Sequence, residues 1–313
     1  MNRLASKYFL SVKQSKGISG YLSYAGFRYW TVSLFPALVG TTLPFWLFPL
    51  GFSFKWFPAI EFLIATVLFY SGFSFLLAWS QNKTMPSWPK SRLLKYAGVC
   101  IIIACFLGLH LHSNMIFRSG VPNYIFMVYG LTALFAGVLY VLPPFNFNKR
   151  VGGEVIIAEG LGMIPVLGAY LVQIGDLTRT VYLASLPLVV ATGLWVWLDE
   201  LASKINDEKI GRKTMVIDFG LRLSGRVGVG VLSILFVLTL LLSVFSEALN
   251  PTALISLLLV GFLCKVVTVS WKEYALPGRM VEMVKIVSVL HFAIGSILVL
   301  SSLVTMFIKS GSI

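Results

Sequence analysis

Nine long apolar segments, separated by short polar ones, restrict what this chain can fold into. They lie at about 29–50, 57–80, 94–112, 122–142, 154–174, 179–198, 224–246, 250–270 and 283–308. Each is close to the roughly 20 residues that a helix needs to cross about 30 Å of hydrocarbon. Only helices and closed barrels satisfy all their backbone hydrogen bonds in lipid. The sequence therefore predicts an all-α, polytopic membrane protein with nine transmembrane helices.

No polar stretch outside these segments is long enough to form a separate soluble domain. Over the whole chain 58% of the residues are hydrophobic and only 12% are charged. Residues 1–27 mix basic and aromatic side chains without a long apolar run. Such a mixture is typical of a basic N-terminal tail or of a helix that lies at the membrane interface. We therefore expect residues 28–313 to form a single transmembrane domain.

The formal net charge of +13 would suggest a nucleic-acid partner in a soluble protein. In a membrane protein the charge is better explained by topology and by attraction to anionic lipids, so we expect no nucleic-acid partner. Most cations lie in the tail before segment 1 and in the loops after segments 2, 4, 6 and 8. This asymmetry predicts a cytoplasmic N-terminus, a C-terminus on the opposite side, and a cytoplasmic location for any active-site loops.

The carboxylates cluster in one stretch, between Trp195 and Gly220, which contains Asp199, Glu200, Asp207, Glu208 and Asp218. In a helix, Asp199, Ser203 and Asp207 recur every four residues and lie roughly on one face. Oxygen ligands at this spacing can share a Mg²⁺ ion, which in turn binds substrate phosphate. Arg212 and Lys213 follow one turn later, where they could bind the same anion. A solvated cytoplasmic loop would carry similar charges.

Three motifs accompany this acidic stretch: Arg28-Tyr29-Trp30-Thr31, the run from Tyr140 to Glu154, and Gly211-Arg212-Lys213-Thr214. Together with nine segments and polar even-numbered loops, they resemble the UbiA superfamily of intramembrane prenyltransferases. The resemblance is closest to the branch that prenylates 1,4-dihydroxy-2-naphthoate in menaquinone synthesis, and it extends over nearly the whole chain from Arg28 onward.

The resemblance implies a lipid-facing central cavity with two Asp-rich motifs, which bind Mg²⁺ and the diphosphate of an isoprenyl donor. Carried over to the second motif, it implies Asp199, Glu200 and Asp207 as metal ligands, with Asp199 and Asp207 as catalytic residues. The implied substrate-binding residues are Arg28, Tyr140, Lys149, Arg150, Arg212 and Lys213. Positive-inside anchoring would also explain Lys149 and Arg150, and Tyr140 would also suit an ordinary membrane interface.

The first Asp-rich motif of that superfamily is missing from this chain. Trp79-Ser80-Gln81-Asn82-Lys83 stands in its place, and no Asp or Glu occurs between Glu61 and Glu154. Two functions stay open. The first is a divergent prenyltransferase that moves an isoprenyl group from an allylic diphosphate to an aromatic or other lipid-soluble acceptor. The second is a catalytically inactive scaffold that binds a quinone, pigment or lipid, or serves as an accessory subunit of a membrane complex.

Overall fold

The computed structural model describes residues 30–48, 52–81, 89–119, 123–209 and 211–310, and all regular structure within them is helical. The α-helices are α1 (Trp30–Leu47), α2 (Trp56–Ser80), α3 (Lys90–Ser119), α4 (Tyr124–Val141), α5 (Gly153–Gly162), α6 (Ile164–Ile174), α7 (Arg179–Lys209), α8 (Met215–Leu223), α9 (Val229–Phe245), α10 (Val260–Glu273) and α11 (Pro277–Ser310). Short 3₁₀ helices span Phe147–Lys149 and Pro251–Leu259, and a π-helical turn spans Ser224–Gly228. The predicted tail at 1–27 and Arg28 lie outside the described residues.

Among the described residues, nine helical spans are long and apolar enough to cross a membrane. Helices α5 and α6 together make one span, and the π-helical turn joins α8 to α9 in another. The prediction of an all-α protein with nine transmembrane helices is therefore confirmed. The agreement has a physical cause, since continuous apolar segments of about 20 residues satisfy their backbone hydrogen bonds in lipid as helices.

Helix α7 lies at the centre of the packing. It contacts α5, α9 and α11, while α1 packs against α6 and α11, and α2 packs against α3. The main hydrophobic core is built around α7, and it includes Leu188, Leu194, Leu198 and Leu201, each almost completely buried. The polar end of α7, where the acidic stretch lies, is therefore held in place by its neighbours.

Close helix contacts depend on glycines, as is usual in membranes, where small residues let backbones approach each other. A Cβ atom at Gly40 of α1 would lie 2.1 Å from the carbonyl oxygen of Val166 in α6. Because the obstacle is backbone, no side-chain rotation can make room. The contact between α1 and α6 therefore requires glycine at position 40.

We expect Gly40→Ala to lower the stability of the protein by about 1–3 kcal/mol, the usual range for forced overpacking. Gly130→Ala is the matched control, because Gly130 is exposed on α4 and no atom lies within 4 Å of its added Cβ. Thermal unfolding in detergent should show a lower midpoint for Gly40→Ala alone. Equal midpoints in the two variants would contradict the close contact.

Candidate functional site

The chain turns back on itself directly after α7. Gly211 has a φ of +72°, a left-handed conformation that glycine adopts without strain. The next residue, Arg212, donates its backbone N–H to the carbonyl oxygen of Asp207 at 3.0 Å. This turn directs the Arg212 side chain back toward the end of α7.

The Arg212 guanidinium is the centre of a buried polar cluster. Its Nη1 lies 3.0 Å from Oδ2 of Asp207, and its Nη2 lies 3.6 Å from Oε1 of Glu200. Its Nε donates to the carbonyl oxygen of Asn148 at 2.8 Å, and Ser203 donates its hydroxyl to Asp207 at 2.7 Å. Only 15% of the Arg212 side chain is exposed, with 7% for Glu200 and 4% for Asp207.

Arg212 keeps its positive charge in this buried cluster. Burial opposes the charged form, but Asp207, Tyr140 and Glu200 together raise the pKa of the guanidinium above its ordinary value. Arg212 and Asp207 therefore form a buried ion pair. Glu200, which lies two turns before Asp207 on α7, contacts the same guanidinium.

The loop before α5 is joined to the turn after α7 by backbone hydrogen bonds. Lys213 donates its N–H to the carbonyl oxygen of Lys149 at 2.9 Å. Met215 donates its N–H to Oε1 of Glu154 at 2.5 Å, and Gly152 donates to the other oxygen at 3.1 Å. The carboxylate of Glu154, a buried residue, thus connects the two segments.

These bonds bring three predicted substrate-binding residues, Lys149, Arg150 and Lys213, into one basic patch. Lys149 is half-buried, while Arg150 and Lys213 are exposed. Arg150 donates to the carbonyl oxygen of Pro144 at 2.9 Å. None of the three forms an ion pair with a carboxylate in the part of the chain that the structure describes. The basic patch therefore has the charge to bind an anion such as a phosphate.

Two acceptor atoms in the cluster have no hydrogen-bond partner among the described residues: Oε2 of Glu200 and Oδ1 of Asn148. The Asn148 side chain is otherwise engaged, since its Nδ2 donates to the carbonyl oxygen of Tyr140 at 2.8 Å. Glu200 also lies close enough to Glu154 for the two carboxyl groups to interact. The cluster thus carries more acidic groups than Arg212 alone can neutralise.

Asp199 differs from the other two predicted metal ligands, because its side chain is exposed and interacts electrostatically with Tyr70 of α2. Asp207 and Glu200 instead contact Arg212. Over the described ranges, no group of three His, Cys, Asp or Glu side chains could hold a metal ion. The structure therefore brings Glu200 and Asp207 together on Arg212, whereas Asp199 is exposed.

Solved structures share this arrangement of helices. Digeranylgeranylglyceryl phosphate synthase superposes with a TM-score of 0.59 at 13% sequence identity, covering 92% of this chain and 98% of that one. A UbiA homologue from Archaeoglobus fulgidus superposes with a TM-score of 0.61 at 14% identity, covering 88% of this chain and 99% of that one. The chain has the UbiA fold.

The same homologue, solved with GPP and Mg²⁺, superposes with a TM-score of 0.58 at 14% identity, covering 89% of this chain and 99% of that one. No protein-family model matches the sequence, and no curated protein does so. In this version of the UbiA fold, the end of α7 and the loop before α5 meet through Arg212, Glu154 and the basic patch.

Tyr140 and Glu154 also lie in the cluster around Arg212. Tyr140 lies near Arg212, Glu200 and Glu154. Glu154 and Asn148 organise the cluster, although neither was among the predicted site residues. Their role could not be found from local sequence, because their partners are backbone groups and a side chain about 60 residues away. Arg28 and Lys83 lie outside the described residues.

Proposed function

We propose that this chain is an intramembrane prenyltransferase, which moves an isoprenyl group from an allylic diphosphate to an aromatic or other lipid-soluble acceptor. The observation that carries the proposal is the basic patch, where Lys149 and Lys213 are joined by a backbone hydrogen bond at the polar end of a UbiA fold. The Archaeoglobus fulgidus homologue has been solved with GPP and with DMAPP, both with Mg²⁺. This supports an isoprenyl diphosphate as the ligand.

In the proposed reaction, the bond between the allylic carbon and the diphosphate oxygen breaks, and the electron pair leaves with the diphosphate. Lys149 and Lys213 stabilise the negative charge that develops on the leaving group. The allylic carbon then forms a bond to the electron-rich acceptor, which loses a proton. The apolar surroundings favour transfer to the acceptor over hydrolysis, because water is scarce there.

The proposed cofactor is Mg²⁺, and the described residues restrict which side chains would hold it. Glu200 and Asp207 are poor candidates, because both already contact the Arg212 guanidinium. Magnesium ions are usually bound by one or two carboxylates together with substrate phosphates. Asp199, which is exposed and lies one residue before Glu200, would supply such a carboxylate. When bound, the ion would neutralise oxygens of the diphosphate.

Further parts of the proposal follow from the sequence. The resemblance to the menaquinone branch makes 1,4-dihydroxy-2-naphthoate the first acceptor to test. The asymmetry of Lys and Arg supports a cytoplasmic N-terminus and a basic patch that faces the cytoplasm. Arg28 and Tyr140 are proposed to contact the substrate, and residues 1–27 to form a tail or interfacial helix.

The ion pairs of Arg212 favour a second candidate function. A guanidinium that contacts both Asp207 and Glu200 occupies carboxylates that the resemblance assigns to the metal, and no acidic residue stands in the first motif. An inactive scaffold of UbiA fold, which binds a quinone, pigment or lipid or joins a membrane complex, would tolerate both changes.

Binding of a non-hydrolysable isoprenyl diphosphate to the purified protein tests the proposal. We expect wild-type protein to bind it more tightly with Mg²⁺ than with a chelator. The double variant Lys149→Gln/Lys213→Gln should bind at least tenfold more weakly in both conditions, because each lost charged hydrogen bond is worth about 1.5–3 kcal/mol. In Asp199→Asn, Mg²⁺ should no longer strengthen binding, while binding in the presence of the chelator should be unchanged.

The matched control is Lys90→Gln/Lys95→Gln, which removes the same charge from two exposed lysines of α3. It should bind like the wild type. If neither the wild type nor the control binds the diphosphate, the transferase proposal fails and the scaffold is favoured. A search for bound pigments, quinones and partner subunits would then be the next measurement.

A further inference from the structure

An apolar groove lies between α9 and α10, apart from the residues of the candidate site. Its volume is about 430 Å³, within the range of roughly 300–1,000 Å³ that is typical of small-molecule sites. Its lining includes Gly230, Val237, Leu263 and Val267. Two hydroxyl groups also line it, but both donate to carbonyl groups of their own helices. The groove therefore suits a hydrocarbon chain.

One end of this groove is polar and aromatic. Arg226 precedes Gly230 by four residues, and Trp271 follows Val267 by four, so each lies one helical turn beyond the groove on the same face. The guanidinium carbon of Arg226 lies 5.6 Å from the ring centre of Trp271 and 5.3 Å from that of Tyr274. Arg226 also donates its Nε to the carbonyl oxygen of Trp271 at 3.2 Å. These contacts fix the guanidinium at the mouth of the groove.

The surroundings of Arg226 are positive. Arg222 lies one turn before it, Lys272 follows Trp271, and both are exposed. Neither these two residues nor Arg226 form an ion pair with a carboxylate in the described part of the chain. Glu273 is close in sequence, but it pairs with Arg279 at 2.7 Å. The positive charge at the mouth is therefore not neutralised by the protein.

From this combination we infer that the groove between α9 and α10 binds one anionic phospholipid. An acyl chain occupies the apolar groove, and the headgroup phosphate contacts the Arg226 guanidinium, whose planar fork of donors suits phosphate oxygens. Trp271 and Tyr274, at the end of α10, are residues of the kind that is enriched at the level of the headgroups. The site shares no residue with the basic patch, so it does not depend on the proposed transferase activity.

Native mass spectrometry of the purified full chain tests this inference, with phosphatidylglycerol and phosphatidylcholine of the same acyl chains as titrants. The wild type should bind one phosphatidylglycerol more tightly than phosphatidylcholine. Arg226→Gln should weaken the phosphatidylglycerol complex about fivefold and the phosphatidylcholine complex less, because the choline of the latter offsets the phosphate charge, while Arg226→Lys should keep most of the preference. Gly230→Leu should weaken both lipids, because Leu fills open space beside Gly230.

Two variants serve as matched controls. Arg92→Gln removes an exposed cation from α3, and Gly261→Leu adds the same side chain to an exposed, open position of α10 that does not line the groove. Both should bind lipids like the wild type, and all variants should keep the wild-type melting temperature. Equal binding of the two lipids to wild-type protein would overturn the inference. So would a dimer that Gly230→Leu abolishes and that lipid does not displace.

Discussion

Replacing Arg212 with glutamine is expected to destabilise the protein by about 3–5 kcal/mol, the usual loss when one partner of a buried ion pair is removed. The substitution leaves Asp207 and Glu200 buried without a compensating charge. It also removes the hydrogen bond from Arg212 to the carbonyl oxygen of Asn148. Thermal unfolding and the yield of monodisperse protein in detergent would both measure this loss.

Arg279→Gln provides a matched control for that experiment. Arg279 also contacts two carboxylates, those of Glu273 and Glu282, but half of its side chain is exposed to the surroundings. Exposed ion pairs contribute little, so this variant should unfold like the wild type. Adding Asp207→Asn to Arg212→Gln should restore part of the stability, since it removes one of the buried charges. Without such a rescue, the destabilisation would have to come from lost packing instead of uncompensated charge.

The fold could be predicted from sequence because the membrane leaves few alternatives. Hydrophobic length alone located the nine spans, and the helices α2 and α7 begin within one residue of the predicted segments. Hydropathy does not reveal how far a helix continues beyond its apolar segment. Helix α7 continues to Lys209, about ten residues beyond the predicted apolar segment, and so carries the acidic stretch as an extension of a transmembrane helix.

The candidate site could be predicted only in part. Residues seven apart on a helix lie within about 20° of each other, whereas residues eight apart differ by about 80°. Glu200 and Asp207 therefore share a face, while Asp199 lies to one side of Asp207. Spacing also could not reveal that Arg212 folds back onto those carboxylates, because this depends on the left-handed conformation of Gly211.

Contacts between distant segments could not be predicted from the sequence. His110 of α3 lies 2.6 Å from the carboxylate of Glu61 in α2, although the two residues are 49 positions apart in the sequence. Glu154 lies at the start of the fifth predicted segment, where local sequence shows no partner for it. Its two backbone donors come from the turn at Gly152 and from Met215, 61 residues later. Such pairs are fixed by the packing of helices, which no local pattern encodes.

Glu154 is the second position where a large effect is expected. Glu154→Ala leaves the N–H groups of Met215 and Gly152 without their acceptor, which costs about 1–3 kcal/mol for each group that water does not reach. Glu154→Gln should be much milder, since its amide oxygen still accepts one of these bonds. Its amide N–H₂ group can also donate to Oε2 of Glu200, which has no partner among the described residues. Thermal unfolding of the two variants would compare these effects.

The two variants also separate the positioning of the basic patch from its charge. Because the bond from Met215 to Glu154 holds the turn that contains Lys213, Glu154→Ala should weaken the binding of an isoprenyl diphosphate, although no cation is lost. Glu154→Gln should retain that binding. Glu159→Ala, at an exposed position of the same helix, should change neither stability nor binding. If Glu154→Gln proves as unstable as Glu154→Ala, the negative charge of Glu154 matters more than its hydrogen bonds. A bound cation would then be the better explanation of the buried acidic cluster.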